Sequence, residues 1–247
     1  MTDASTLLIT GASGGIGQAV VARLAGRHHL LLVARDEERL RAVAAVHPGC
    51  TVLAVDCASE AGVIAIANTL DTLPPLAGFA HLVGSLQLRP LHRMQLSEWR
   101  ACHATNLDSA FLVLRLAVQR LIAQGTPMTG VFVTSVAADL GLANHEAIAA
   151  AKAGIGGLMR AAATTYADKG LRLNAIAPAL TATPMTAGFL ASPAACEQLA
   201  ARHPLGRIGT PDDQAAAIAW LLSAESSWVT GQVLGVDGGM GTLRPQR

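Results

Sequence analysis

An α/β fold built on one doubly wound parallel sheet is predicted by three features of the sequence. Short, wholly apolar runs alternate with helical stretches through the first third of the chain, the pattern of βαβ units whose strands are buried on both faces. The first of these runs breaks into a glycine-rich turn that resumes as a helix. The chain's 247 residues, 51% hydrophobic and 14% charged, suffice for one large core, so residues 1–247 are read as a single domain.

Taken in order, Leu7 Leu8 Ile9 Thr10 reads as the first strand, and Gly11 Ala12 Ser13 Gly14 Gly15 Ile16 Gly17 as the turn. Glycines let the backbone approach a ligand closely, and the helix that follows offers unpaired N–H groups and a positive dipole end. A pyrophosphate fits such a place, with Gly11, Ser13, Gly15, Ile16 and Gly17 as its candidate cradle. Leu30 Leu31 Leu32 Val33 is the second strand, followed by Arg35 and by Asp36 Glu37 Glu38, which suit the first turn of a helix. In a fold of this kind the end of the second strand meets the adenosine ribose, and an arginine there favours a 2′-phosphate, hence NADP over NAD. The competing reading of Arg35 is a surface pair with Glu37 or Glu38. A third strand over residues 51–55 ends at Asp56, and a helix over about 59–70 leads through a Pro74 Pro75 loop to a fourth apolar stretch, 79–83. Residues 244–247 read as a loose tail.

Composition excludes several classes of function. A net charge of +1 argues against nucleic acid or an anionic membrane as the main partner. No apolar run approaches the length of a bilayer span, and Met1 Thr2 Asp3 Ala4 Ser5 lacks the basic start and apolar stretch of a signal peptide, so a cytoplasmic location is expected. Cys50, Cys57, Cys102 and Cys196 show no C-x-x-C spacing and are expected to be buried, reduced thiols. The eight histidines lack H-x-x-x-H and H-E-x-x-H pairings, and no metal is expected.

Along nearly its whole length the chain resembles the short-chain dehydrogenase/reductase family. The T-G-x-x-x-G-x-G pattern matches Thr10, Gly11, Gly15 and Gly17, and the aspartate at the adenine ring matches Asp56. The asparagine of the long helix before the fifth strand matches Asn106, the serine at the end of that strand Ser135, and the lysine Lys152. Asn174 to Pro178 resembles the stretch after the sixth strand, with Thr183 where the nicotinamide carboxamide is held; Gly206 to Gly209 and Thr230 to Gly239 resemble the approach to the last helix and the last strand. The resemblance implies a Rossmann fold, NADP as cofactor, and Ser135, Lys152 and Asn106 as catalytic residues. Each has a bland alternative: Ser135 bonding local backbone, Lys152 solvated on its helix, Asn106 serving packing and water.

One position departs from the pattern. The family's tyrosine stands four residues before the lysine, one turn along the same face, and here that residue is Ile148. An aliphatic side chain neither gives nor takes a proton. Tyr166, the sole tyrosine, lies fourteen residues past Lys152, about 21 Å along a helix, and reads as core or interface. His145, seven residues before Lys152, stands where the enoyl-acyl-carrier-protein reductases of bacteria carry a tyrosine, and Gly84 Ser85 Leu86 Gln87 after the fourth strand also resembles them. Two readings of His145 stand: an N–H donor to an oxyanion beside Asn144 as N-cap, or a solvent-facing residue with no role. Only two of the eighteen basic residues, Lys152 and Lys169, are lysines, and one of them falls on the family's lysine position.

Apolar Met185, Phe189 and Leu190 fall in residues 181–203, where the family carries a lid, and they suggest an apolar or acyl-bearing small-molecule substrate. Long helices over about 97–123 and 145–168 imply, by resemblance, a homotetramer. The sequence thus predicts an NADP(H)-dependent oxidoreductase acting on a carbonyl/alcohol or conjugated enoyl compound. Its alternative is an NADP-binding protein that has lost turnover and serves as a redox sensor or oligomer partner.

Overall fold

The computed structural model describes residues 5–244 and holds seven parallel strands in the order β3-β2-β1-β4-β5-β6-β7. The strands are β1 (Thr6–Thr10), β2 (His29–Ala34), β3 (Cys50–Ala54), β4 (Leu76–His81), β5 (Met128–Val133), β6 (Leu171–Pro178) and β7 (Val233–Val236). The N-terminal residues 1–4 and the tail residues 245–247 lie outside the described residues. The strand order reverses beside β1, so a crevice opens at the carboxyl ends of β1 and β4, where Thr10 is paired with both Val33 and His81.

Although the strands read as continuous apolar runs, their side chains still alternate between two cores. Leu7 and Ile9 pack with α1 (Gly15–Leu24), α2 (Glu37–Ala45) and, further along the chain, the helix Pro211–Leu222. Leu8, with Phe79 and Phe132, packs on the other face against α3 (Glu60–Leu70), the helix Ser109–Gln124 and the helix Glu146–Tyr166. The Phe79 and Phe132 rings meet edge to face, centroids 5.3 Å apart. Asp36, Ser59 and Thr210 cap helices by accepting backbone N–H bonds in their first turns, as the sequence leads one to expect.

Four expectations are corrected. The fourth strand ends at His81 rather than Val83, because Leu82 leaves the ladder with its N–H on the Thr10 carbonyl; the stretch that follows it therefore begins at Leu82, not Gly84. The helix expected over 97–123 is three pieces: α4 (Leu96–His103), a π turn (Ala104–Asp108) and α5 (Ser109–Gln124). Asn174 to Pro178 lies inside β6, paired with β5 and β7, rather than after it. Of the four free cysteines, only Cys57 and Cys102 are buried. The next helix, α6 (Glu146–Tyr166), is followed by a 3-10 turn at Ala167–Lys169, and the chain closes through α7 (Pro193–Ala200) and α8 (Pro211–Leu222). No described helix is long and apolar enough to cross a membrane.

Candidate active site

The glycine turn is shaped by close approach. Gly11 has φ +73°, and a Cβ there would come within 2.8 Å of the Leu82 backbone; a Cβ on Gly17 would collide with the Gly11 carbonyl oxygen. Gly14 precedes α1 with no side-chain cap, which leaves the first N–H groups of the helix open to an anion. A Cβ on Gly15 would come within 3.0 Å of Thr183, so the residue expected at the carboxamide stands directly over the turn. Thr186, which sequence reasoning missed, fixes it: its hydroxyl receives the Thr183 N–H at 3.0 Å and bonds the Thr181 carbonyl at 2.5 Å.

Arg35 is exposed and makes no ion pair among the described residues, while Glu37 pairs with Arg41 instead. The surface-pair reading of Arg35 is thereby set aside. A second guanidinium comes into play: Arg39, held one turn into α2, donates to the Ser13 carbonyl at 3.1 Å, an oxygen that Gln18 also reaches at 3.0 Å. Its i, i+4 spacing from Arg35 is the signal that could have found it. Asp56 turns one carboxylate oxygen to the Ala58 N–H at 2.9 Å and remains exposed.

Past the end of β4 the floor of the crevice is polar and dense. Asn106 is fully buried in the π turn; its amide donates to the Cys102 carbonyl at 2.9 Å and to Ser85 Oγ at 3.1 Å, and its oxygen accepts from the Ser85 N–H. Lys152 is buried too, which rules out a solvated helix lysine, and its Nζ donates to the Val133 carbonyl at 2.8 Å. Both meet at Gly84, where a Cβ would stand 3.0 Å from Asn106 Oδ1 and 3.3 Å from Lys152 Nζ. Burial draws the Lys152 ammonium down to about 8. It pushes the Cys57 thiol up to about 12, and the Cys102 thiol upward as well, so neither is a ready thiolate.

Below this floor runs a hydrogen-bond chain through His81. The Ser109 hydroxyl must donate to the Thr105 carbonyl at 2.6 Å, so it accepts from His81 Nε2 at 3.0 Å; His81 Nδ1 then accepts from the Thr10 hydroxyl at 2.8 Å. The neutral ring is fully satisfied, and burial, aided by the Lys152 charge, holds it down to about 3. The chain links the first residue of the glycine turn to the π turn that carries Asn106.

The proton-donor side looks different. Ser135 is half-buried and accepts from the Ala137 N–H at 3.1 Å, which leaves its hydroxyl proton free to donate. Ile148 is 4% exposed and packs with Cys102, Ala147, Leu88, Met94 and Trp99, an apolar cluster beside Lys152. His145, not Asn144, is the N-cap residue of α6, and Asn144 takes the left-handed conformation with φ +63°. The N–H of His145 Nδ1 goes to the Ala143 carbonyl at 2.8 Å, so the neutral ring turns a lone pair, not a donor, outward at Nε2. Tyr166 packs on the core. Met185 and Phe189 are 57% and 42% exposed, so they do not serve the core. The largest cavity, about 600 Å³, opens at the opposite end of the sheet around Pro127, Leu171 and Trp228 and shares nothing with this site.

A crevice of this form holds an extended phosphate-bearing ligand against a polar floor, the arrangement of an oxidoreductase. A family model described as Enoyl-(Acyl carrier protein) reductase matches residues 11–241. The chain is 36% identical over 244 residues to cis-4-hydroxycyclohexanecarboxylate dehydrogenase of Sinomonas cyclohexanicum, with 94% of each covered. It is 35% identical over 246 residues to 2,5-dichloro-2,5-cyclohexadiene-1,4-diol dehydrogenase of Sphingobium indicum, covering 97% of this chain and 98% of the relative. A gluconate 5-dehydrogenase from Burkholderia cenocepacia J2315, solved with NADP and tartrate, superposes with a TM-score of 0.90 at 27% identity, with 98% and 96% covered. The chain therefore belongs to the short-chain dehydrogenase/reductase family, and it is an oxidoreductase of that family.

Proposed function

We propose that the protein is an NADP(H)-dependent oxidoreductase interconverting a carbonyl compound and its alcohol, with conjugated enoyl reduction as the neighbouring chemistry. The observation that carries this reading is Lys152: a buried ammonium has three donors, and one alone is used, by Val133. Burying a charge costs several kcal/mol unless its donors are answered, so two spare donors at the crevice mouth mark a group kept for a ligand. The residues present fit NADP. The open N–H groups of α1 receive the pyrophosphate, Arg35 and Arg39 the 2′-phosphate, Asp56 the adenine, Thr183 the carboxamide, and Lys152 the nicotinamide ribose hydroxyls.

When bound, the nicotinamide supplies or accepts the hydride. Ser135 donates its free hydroxyl proton as a hydrogen bond to the substrate oxygen, and Asn106 keeps the floor in register through Ser85 and Cys102. The proton for the product oxygen is assigned to His145 in its doubly protonated form, since the Nδ1–H is committed to Ala143 and only Nε2 can hand a proton on. Two relatives named for ring alcohols support a small cyclic substrate. Exposed Met185 and Phe189 supply the apolar cover. A homotetramer and a cytoplasmic location complete the proposal.

One observation favours a second reading. Ile148 is not a bare gap but part of a packed apolar cluster, which suits a protein that binds NADP without turnover. NADPH oxidation, with NADH alongside, decides between them across ketones, aldehydes, quinones and enoyl thioesters for wild type, His145→Ala and Ile148→Tyr. Turnover by the wild type that His145→Ala loses supports the first reading; turnover that survives it moves the proton source to bound water. A silent wild type, with ketone reduction gained by Ile148→Tyr, establishes the second.

A further inference from the structure

Beyond the crevice, a separate cavity of about 320 Å³ lies past the ends of β6 and β7, walled by Leu180, His203, Arg207, Gln214 and Asp237. It contains none of the residues assigned above to cofactor or chemistry, and its volume is at the small end of ligand sites. Two of its side chains are buried and left unpartnered among the described residues: His203 Nε2 and Gln214 Oε1, on residues 3% and 1% exposed. Unpartnered buried polar atoms in a native fold call for a ligand or water, because each costs about 1–3 kcal/mol.

The hydrogen bonds fix what kind of atom each one is. His203 Nδ1 lies 2.9 Å from the Leu199 carbonyl, which only accepts, so the ring proton is on Nδ1 and Nε2 is a lone pair. Gln214 Nε2 lies 2.9 Å from the Val236 carbonyl and 3.2 Å from Thr181 Oγ1, so the amide cannot be flipped and Oε1 is an acceptor. The charged groups of the wall are already answered. Arg207 forms a two-pronged pair with Asp213 at 2.7 and 2.8 Å, and the Asp237 carboxylate receives the Gly239 and Gly241 N–H groups, each at 2.8 Å. Two neutral acceptors therefore remain open, with no free carboxylate to hold a cation and with a guanidinium in the wall to repel one. No group of three or more His, Cys, Asp or Glu among the described residues is placed for a metal ion.

We propose that this cavity is a second binding site, taking a small uncharged polyol whose hydroxyls donate to His203 Nε2 and Gln214 Oε1. The ligand must bring at least two O–H donors on neighbouring carbons and no charge. Its wall is also joined to the segment over the glycine turn, since Gln214 holds Thr181 and Thr181 is bonded by Thr186.

The test is calorimetric titration of the full-length protein with erythritol, xylitol and sorbitol, with 1-pentanol as the monohydric control, alongside a crystal structure of the wild type soaked in xylitol. The expected result is saturable binding of the polyols and none of 1-pentanol. Gln214→Leu and His203→Phe, checked for folding by their melting curves, each weaken binding by roughly fivefold, the effect of one lost hydrogen bond. Density for xylitol on both acceptors supports the site without recourse to any variant. Titrations that never saturate, wild-type affinity in folded Gln214→Leu, or a soaked crystal with water alone on Nε2 and Oε1 would overturn it.

Discussion

Lys152 and Ile148 stand one turn apart on α6, both buried, and their surroundings differ in kind. Lys152 is held by a backbone carbonyl and faces Asn106 and Gly84 across a polar floor, whereas Ile148 rests in an apolar cluster with Cys102 and Trp99. The contrast extends to the whole crevice. The cofactor side is dictated by backbone: Gly11 and Gly17 admit no Cβ, and their fit is independent of any ionisable group. The proton-donor side depends on single side chains, and there one substitution removes the chemistry without disturbing the packing. Binding and turnover are thus separable in this fold, because sterics secure the first and one side chain the second.

The largest effect is expected from the steric side. Gly17→Ala drives a Cβ into the Gly11 carbonyl, so fluorescence titration should show NADPH affinity reduced by about a hundredfold, with a loss of about 1–3 kcal/mol in urea unfolding. Next comes the buried histidine beneath both sides. His81 is neutral when folded and titrates near 3, while an unfolded histidine binds its proton near 6.5. Below pH 6.5 the unfolded chain holds the extra proton, so the stability is present above that pH and is lost toward pH 3, at up to about 1.4 kcal/mol per pH unit. Urea melts between pH 7 and 4 should show this limb in the wild type and a flatter one in His81→Phe.

Lys152→Met sharpens the comparison by making the polar partner as apolar as Ile148. Between pH 8 and 10.5 the unfolded chain binds a proton that the folded one has released, so wild-type stability rises with pH across that window. Replacing Lys152 removes the cost of the buried charge: the melting temperature at pH 7 should rise by a few degrees while NADPH affinity falls by about tenfold. The smallest effects belong to the exposed rim. Arg35→Ala should lower the NADPH to NADH affinity ratio by about tenfold, and Arg39→Ala by less, because part of that guanidinium is occupied by the Ser13 carbonyl. Parallel titrations with the two dinucleotides measure both.

Much of this was legible in the sequence. The strand–turn–helix at Thr10 to Leu24, the apolar run at Leu30 to Val33 and the caps at Asp36 and Ser59 follow from local rules, and the structure realises them. The site residues on the cofactor side are spaced along strand ends, so topology alone gathers them. What was illegible has physical causes. Where β4 stops is set by Leu82 bonding back to Thr10, a contact with a strand far away in sequence. The reach of Arg39 to Ser13 depends on how α2 docks, and the Nδ1–H of His145 is consumed by a neighbouring carbonyl that no spacing rule reveals. The pair of open acceptors at His203 and Gln214 needed the fold to bring α7, α8 and β7 together.

The π turn at Ala104–Asp108 carries a constraint of another sort. It inserts one residue into what would otherwise be a single helix from Leu96 to Gln124, and Asn106 sits within it. Each residue of an α-helix turns its successor by about 100°. Deleting any one residue of this wide turn would restore a regular helix while swinging all of α4, Cys102 and Trp99 included, by about that angle about its axis relative to α5. Point changes in this rod are local events, but a one-residue deletion is a global one, and the reading length of the segment is as much a part of the site as the asparagine itself.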